Sequence, residues 1–113
     1  VKIDGTDVYM TRGDSGTILV KCKKDGAEVP FKEGDKVYFT VKTSPNVEEK
    51  LIQKVETTFL EGKAVIEIKP EDTKDLRFNK EYYYDVQLTM ADGRVFTIIK
   101  PSKFVVTEEV TYE

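Results

Sequence analysis

The strongest constraint on this chain is an alternation of period two that runs from Tyr82 to Lys100 and reverses once, at Ala91-Asp92-Gly93-Arg94. Tyr82, Tyr84, Val86, Leu88 and Met90 share one side of an extended chain, and Tyr83, Asp85, Gln87 and Thr89 share the other, because successive side chains of a strand point to opposite faces. A helix of the same sequence would scatter the apolar set around its circumference. Asp92-Gly93 lies between two alternating runs, and glycine there accepts a positive φ at little steric cost, so the segment predicts a hairpin.

The rest of the chain repeats this grammar. Ile18, Val20 and Cys22 alternate with Leu19, Lys21 and Lys23, and the run stops at the turn signal Asp25-Gly26. After a polar connection from Pro30 to Asp35, Val37, Phe39 and Val41 alternate with Tyr38, Thr40 and Lys42 until Ser44-Pro45-Asn46 interrupts the strand, since proline cannot donate to a ladder. Residues 47–60 are ambiguous. Asn46 could cap a helix through Val47, Leu51 and Val55, but the β-branched run that follows favours a strand over Lys54 to Leu60. Glu61-Gly62 then predicts a turn into Ala64 to Lys69, pairing the two runs as a hairpin. Pro70 to Leu76 reads as one short helical turn, with proline early, acids near its start and Leu76 pinning it to the core. Pro101-Ser102 predicts a break or bulge before Phe104-Val105-Val106, and Thr107 to Glu113 reads as a polar, acidic tail, either frayed or joined to something absent.

Short strands spaced by about ten residues, with one helical crossover, predict an all-β domain of two antiparallel sheets packed face to face. A small oligonucleotide-binding-type barrel is the structural alternative, though such barrels use fewer strands. The expected core joins Val8, Ile18, Val20, Val37, Phe39, Val41, Phe59, Ile66, Ile68, Leu76, Tyr84, Val86, Leu88, Phe96, Ile98, Phe104 and Val106. At 113 residues the chain predicts one domain over 1–113, long enough to bury about two-thirds of its extended surface.

Composition narrows the chemistry. Eighteen basic against 21 acidic residues give a net charge of -3, which disfavours a dedicated phosphate-backbone binder. There is no histidine and one cysteine, so histidine triads, His-containing zinc sites and an intrachain disulfide are excluded. No apolar run approaches the roughly 20 residues of a bilayer span.

Several residues invite a functional reading. Arg12-Gly13-Asp14 is an adhesion tripeptide elsewhere, yet its setting in a predicted turn gives it an ordinary explanation as turn chemistry. Glu71, Asp72 and Asp75, with Glu81 or Asp85, gather acids but lack both a calcium-loop spacing and an apolar frame. Cys22 reads as a buried, inert small hydrophobe, and Lys21, Lys23 and Lys24 as a solvated strand edge. Tyr82 or Tyr84 suits a hydroxyl-to-backbone bond at a strand corner, while Tyr83 points outward. Tyr9, Tyr83, Arg12 and Asp14 are the candidate interface residues. The strand over Val1 to Met10, or the edge near Thr107 to Glu113, is the expected partner-facing edge.

The ordered set of patterns also carries a resemblance. Asp7 to Gly16, Val37 to Lys42, Ile66 to Leu76, Tyr82 to Thr89, Asp92 to Ile99 and Lys103 to Thr107 together span most of the chain. They resemble the amino-terminal domain of baseplate upper proteins of siphophages infecting Gram-positive bacteria, and related free-standing prophage proteins. The chain departs from that pattern at Ile99 to Ser102, where relatives tend to carry a glycine, and at Leu76 to Tyr82, which lacks their proline-glycine pair. The resemblance implies an immunoglobulin-like antiparallel β-sandwich of about seven to eight strands with one short helical turn. It further implies a non-enzymatic structural protein of the tail or baseplate, without a cofactor or metal. The partners it implies are other phage tail or baseplate proteins and, as one option, further copies of the chain, with neither nucleic acid nor membrane. Such a protein is virion-associated, or resides in the bacterial cytoplasm when expressed from a prophage. The alternative is a β-sandwich module that binds host cell-surface carbohydrate, for which exposed coplanar aromatics are the expected signature.

Overall fold

A computed structural model describes residues 1–110. They form ten strands in three sheets and one short helical turn. In chain order the elements are β1 (Lys2–Asp4), β2 (Asp7–Thr11), β3 (Gly16–Val20), β4 (Cys22–Lys24), β5 (Ala27–Val29), β6 (Lys36–Lys42), β7 (Ile52–Glu56), β8 (Ala64–Ile68), α1 (Pro70–Thr73), β9 (Lys80–Thr89) and β10 (Val95–Thr107). The large sheet has the order β1-β2-β10-β9-β6-β7, and the remaining pairs are β3-β8 and β4-β5. No helix among the described residues is long and apolar enough to cross a membrane.

The predicted hairpin is the spine of the large sheet. Strands β9 and β10 pair antiparallel from Val95 opposite Thr89 to Val106 opposite Lys80. Of the expected break or bulge at Pro101-Ser102 the structure has the bulge: β10 runs on to Thr107 with register shifts between Thr97 and Ile99 and between Ile99 and Ser102. Each shift inserts one extra residue on β10. One slip would turn every later side chain to the wrong face, whereas two restore parity. Phe96 and Phe104 therefore both face the inner side, opposite Leu88 and Tyr82.

That inner side carries the core. Val8, Met10, Val37, Phe39, Val41, Ile52, Tyr82, Tyr84, Val86, Phe104 and Val106 from the large sheet join Ile18, Val20, Ala64, Ile66 and Ile68 from the β3-β8 ribbon in one apolar cluster. The cluster is built around stacked aromatics, with Phe39 and Tyr84 ring centroids 5.1 Å apart and Phe39 and Phe104 edge to face at 6.3 Å. The short helical turn is present as expected, and Leu76 behind it is buried.

The expected hairpin of Lys54–Leu60 with Ala64–Lys69 does not form. Its turn does: Glu61 and Gly62 have φ of 51° and 77°, and Leu60 and Lys63 exchange two backbone bonds of 2.9 Å. Pairing goes no further, because β7 lies antiparallel to β6 while β8 crosses to β3. Burial explains the choice. Strand β8 has three core residues, Ala64, Ile66 and Ile68, whereas β7 buries only Ile52 and leaves Val55 exposed. The alternation of β8 matches that of β3, so crossing between layers buries both. Gly62 is required twice over, since its φ is left-handed and a Cβ there would lie 2.5 Å from Pro30 Cβ.

Other expectations need correction. The run from Ile18 to Lys24 is not one strand: the chain leaves β3 at Lys21, and β4 pairs with β5 across the Asp25-Gly26 turn. Phe96 is exposed and Ile98 and Phe59 are half-buried rather than core. Met10, Phe31, Ile52, Ala64 and Tyr82 are core residues outside the expected core set, although the alternation had put Tyr82 on the apolar side. Strand β2 pairs parallel with the last four residues of β10, Val8 opposite Phe104 and Thr11 opposite Thr107, an arrangement that the antiparallel expectation did not include.

Candidate functional site

Three places on this frame collect chemistry-bearing residues. The first is the strap beyond the β2 and β10 ends. Arg12 binds both carboxylate oxygens of Glu109, through Nη2 to Oε1 at 2.7 Å and through Nε at 3.1 Å. Its Nη1 donates to the Leu76 carbonyl at 3.3 Å, and the guanidinium lies 5.1 Å from the centre of the Phe78 ring. The Arg12 bonds hold the Glu109 carboxyl below the usual carboxylate range, partly opposed by desolvation. The Gly13 amide donates to the fully buried Thr73 hydroxyl at 2.8 Å. Arg12 of the adhesion-like tripeptide is thus engaged within the fold, while Asp14 is exposed. Of the two readings of the tail, fraying does not hold at its first residues, because Thr107 is paired in β10 and Glu109 is held by Arg12. Residues 111–113 of that tail lie outside the described residues.

The strand corner beside the strap is locked by hydroxyls, as the tyrosine pattern suggested. The Arg77 amide donates to the Tyr82 hydroxyl at 2.8 Å, and the Tyr84 hydroxyl donates to the Thr6 carbonyl. Burial, with a smaller contribution from Asp7, pushes the Tyr84 hydroxyl up to about 12.

The second place is the outer face of the large sheet. Tyr38 on β6 stands opposite Gln87 on β9, Thr40 opposite Asp85, and Lys42 opposite Tyr83. Together with Gln53 they line a shallow depression of about 330 Å³. The depression is already partly wired: Gln53 donates to the Thr40 hydroxyl at 3.2 Å and Lys42 to the Val47 carbonyl at 2.9 Å. Burial raises the Asp85 carboxyl, and Lys42 partly counters it. Tyr83 is half-buried on this face, as is Tyr9, two strands away on β2.

The third place was not foreseen. Where the β9-β10 hairpin reaches past the β3-β8 ribbon, a cleft of about 870 Å³ opens between it and the β4-β5 hairpin. Its floor is apolar, with Leu88, Met90, Phe96, Ile98 and Ile99 on one side and Cys22 and Val29 on the other. Cys22 is accordingly half-buried, not enclosed. Lys21, Lys23, Lys24 and Arg94 rim it. The signal was in the sequence as two separate features, a lysine run and an apolar hairpin. Only the fold brings them together.

Among the acids around α1, Asp72 is accounted for locally. Asp72 accepts from the Lys69 amide at 2.7 Å and pairs with Lys54 at 2.8 Å. Desolvation opposes its ionisation, but these bonds and the two lysine charges outweigh it and lower its pKa. Among the described residues no group of three or more histidine, cysteine, aspartate or glutamate side chains is placed to hold a metal ion. Comparison with family models, curated proteins and solved structures gives no match.

Proposed function

We propose that the chain is an immunoglobulin-like sandwich serving as a non-enzymatic assembly module of a phage or prophage tail or baseplate. Support for the fold is topological. The order β10-β9-β6-β7 follows the G-F-C-C′ sheet of variable-type domains, and the β3-β8 ribbon follows their B-E pair. The bond from the Arg77 amide to Tyr82, close to the start of β9, is of the tyrosine-corner type. Phe39, Tyr84 and Phe104 fill the centre where antibody domains place a tryptophan against a disulfide.

The observation that carries the assembly role is the apolar surface left uncovered at the cleft. Phe96 on the hairpin is 46% exposed, and Val29 across the opening is 41% exposed. Contiguous apolar surface rimmed by polar side chains is a mark of interaction sites. The resemblance supplies the kind of assembly. The test is immunolabelling of tail particles released by prophage induction from the source strain, together with light scattering over a concentration series. Labelled particles, or a defined trimer or hexamer, support the reading. A strict monomer that is absent from purified particles overturns it.

A carbohydrate-binding module is the second reading, favoured by the depression between Tyr38 and Tyr83, where Asp85, Gln87 and Thr40 add hydrogen-bonding groups beside two aromatic rings. Saturable binding of cell-wall oligosaccharide, abolished by Tyr83→Ala, would transfer the assignment to it.

A further inference from the structure

The apolar cleft lies beside an unpaired strand edge. Strand β10 pairs with β9 from Val95 to Val106, but β2 covers only Phe104 to Thr107 on the other side. Between these limits the edge is partly closed by side chains: the Lys103 amide donates to Asp7 at 2.9 Å, and the Ser102 hydroxyl donates to the Lys100 carbonyl at 2.8 Å. Pro101 offers no amide. Val95 to Ile99 remain, with no strand on that side among the described residues. In an antiparallel pair alternate N–H and C=O groups point away from the partner strand, so this stretch presents them to solvent. Natural proteins blunt such edges, and one this apolar is a template for another strand.

The geometry points to strand addition at Val95–Ile99 by an extended acidic segment of a partner protein, with its alternate apolar side chains in the cleft. The register follows from the period of two. A strand added here sends every second residue toward Phe96, Ile98, Met90 and Cys22. The charge of the occupant follows from the rim. Lys21, Lys23, Lys24 and Arg94 line the opening, and no carboxylate among the described residues does, although the chain as a whole has a net charge of -3. Only Arg94 has an ion-pair partner among the described residues, Asp92 at 2.8 Å. Backbone pairing gives such a complex its affinity, the apolar pockets give it register, and the cations select an acidic partner and speed its approach. This inference rests on the assembly reading and names the chemistry of the partner.

The test uses the full chain and three probes: the capped octapeptide Asp-Val-Glu-Ile-Asp-Val-Glu-Thr, its counterpart with lysine at every acidic position, and sodium dodecanoate below its micelle concentration. The acidic peptide is expected to bind saturably and slow amide exchange within Val95–Ile99. Binding should weaken by about tenfold or more in the triple variant Lys21→Glu, Lys23→Glu, Lys24→Glu. These lysines are exposed, and the salt dependence of the unaltered chain reads the same electrostatics without any substitution. Equal binding of the lysine peptide, absence of saturable peptide binding, or dodecanoate binding with no protection at Val95–Ile99 would each overturn the proposal. Failure here leaves the particle-labelling result untouched, so the two readings fall separately.

Discussion

The two ends of the β9-β10 pair are built from the same strands and treated in opposite ways. At the Lys80 and Val106 end, β2 lies parallel along β10, the Asn79 amide donates to the Val106 carbonyl at 2.7 Å, and Arg12 ties Glu109 to the Leu76 carbonyl. At the Thr89 and Val95 end no strand among the described residues covers β10, and the apolar alternation continues into an open cleft. Hydrophobic alternation is therefore not a measure of burial. It says which side a residue takes, and burial follows only where a second layer reaches.

Two phenylalanines on one strand break the comparison most sharply. Phe104 is fully buried and touches the rings of Phe39 and Tyr84, while Phe96, on the same face of β10, is 46% exposed. Phe104→Ala should cost about 3–5 kcal/mol, the range for truncating a core aromatic. Phe96→Ala should change stability by about 0.5 kcal/mol or less, as for surface substitutions. Denaturant unfolding of both variants measures the pair. Equal losses would mean that the cleft is closed in solution and that the two ends do not differ.

How far this was legible beforehand follows from the same residues. Alternation placed Phe96 and Phe104 on one face correctly, because side-chain parity is local and the two bulges cancel. It could not separate them by burial, since that depends on where the β3-β8 ribbon ends. The Asp25-Gly26 and Asp92-Gly93 turns and the helical turn before Leu76 were readable from short-range chemistry. The partner of β8 was not, because Glu61-Gly62 is a good turn whichever strand β8 later joins. The parallel contact of β2 with β10 joins segments nearly the whole chain apart, with no local signal at all. Of the candidate interface residues, Tyr9 and Tyr83 lie half-buried on the outer face and Asp14 is exposed, while Arg12 has its guanidinium engaged by Glu109 and Leu76.

The tyrosine hydroxyls are the next test, with a smaller expected effect. Tyr82→Phe leaves the Arg77 amide without its partner, and Tyr84→Phe does the same to the Thr6 carbonyl. Each should cost about 1–2 kcal/mol if the orphaned group stays away from water. Alkali tests Tyr84 further. The Tyr84 hydroxyl is raised to about 12 by burial, then by Asp7, against an unfolded value of about 10. Its contribution is complete below pH 10 and is lost as pH rises toward 12. The Tyr84→Phe variant should therefore fall less steeply than the parent chain over that window, when thermal midpoints are followed against pH. Parallel curves would show that Tyr84 titrates as an ordinary phenol.

The smallest effect belongs to the strap itself. Glu109→Gln removes the charge that Arg12 holds but keeps an acceptor, and a part-exposed ion pair contributes little to stability. Its sign against pH is nevertheless definite. The Arg12 bonds lower the folded pKa of Glu109, so the stabilisation is present above the unfolded value of about 4.3 and disappears as pH falls through the lower folded value. Thermal midpoints of the parent chain and of Glu109→Gln should differ at neutral pH and converge in acid. They should also converge in high salt, more gradually than for the solvent-exposed Arg94 and Asp92 pair at the open end. A gap between parent and variant that survives both acid and salt would assign the hold on the tail to packing around Phe78 instead of charge, and the closed end would then differ from the open one only in how much surface it covers.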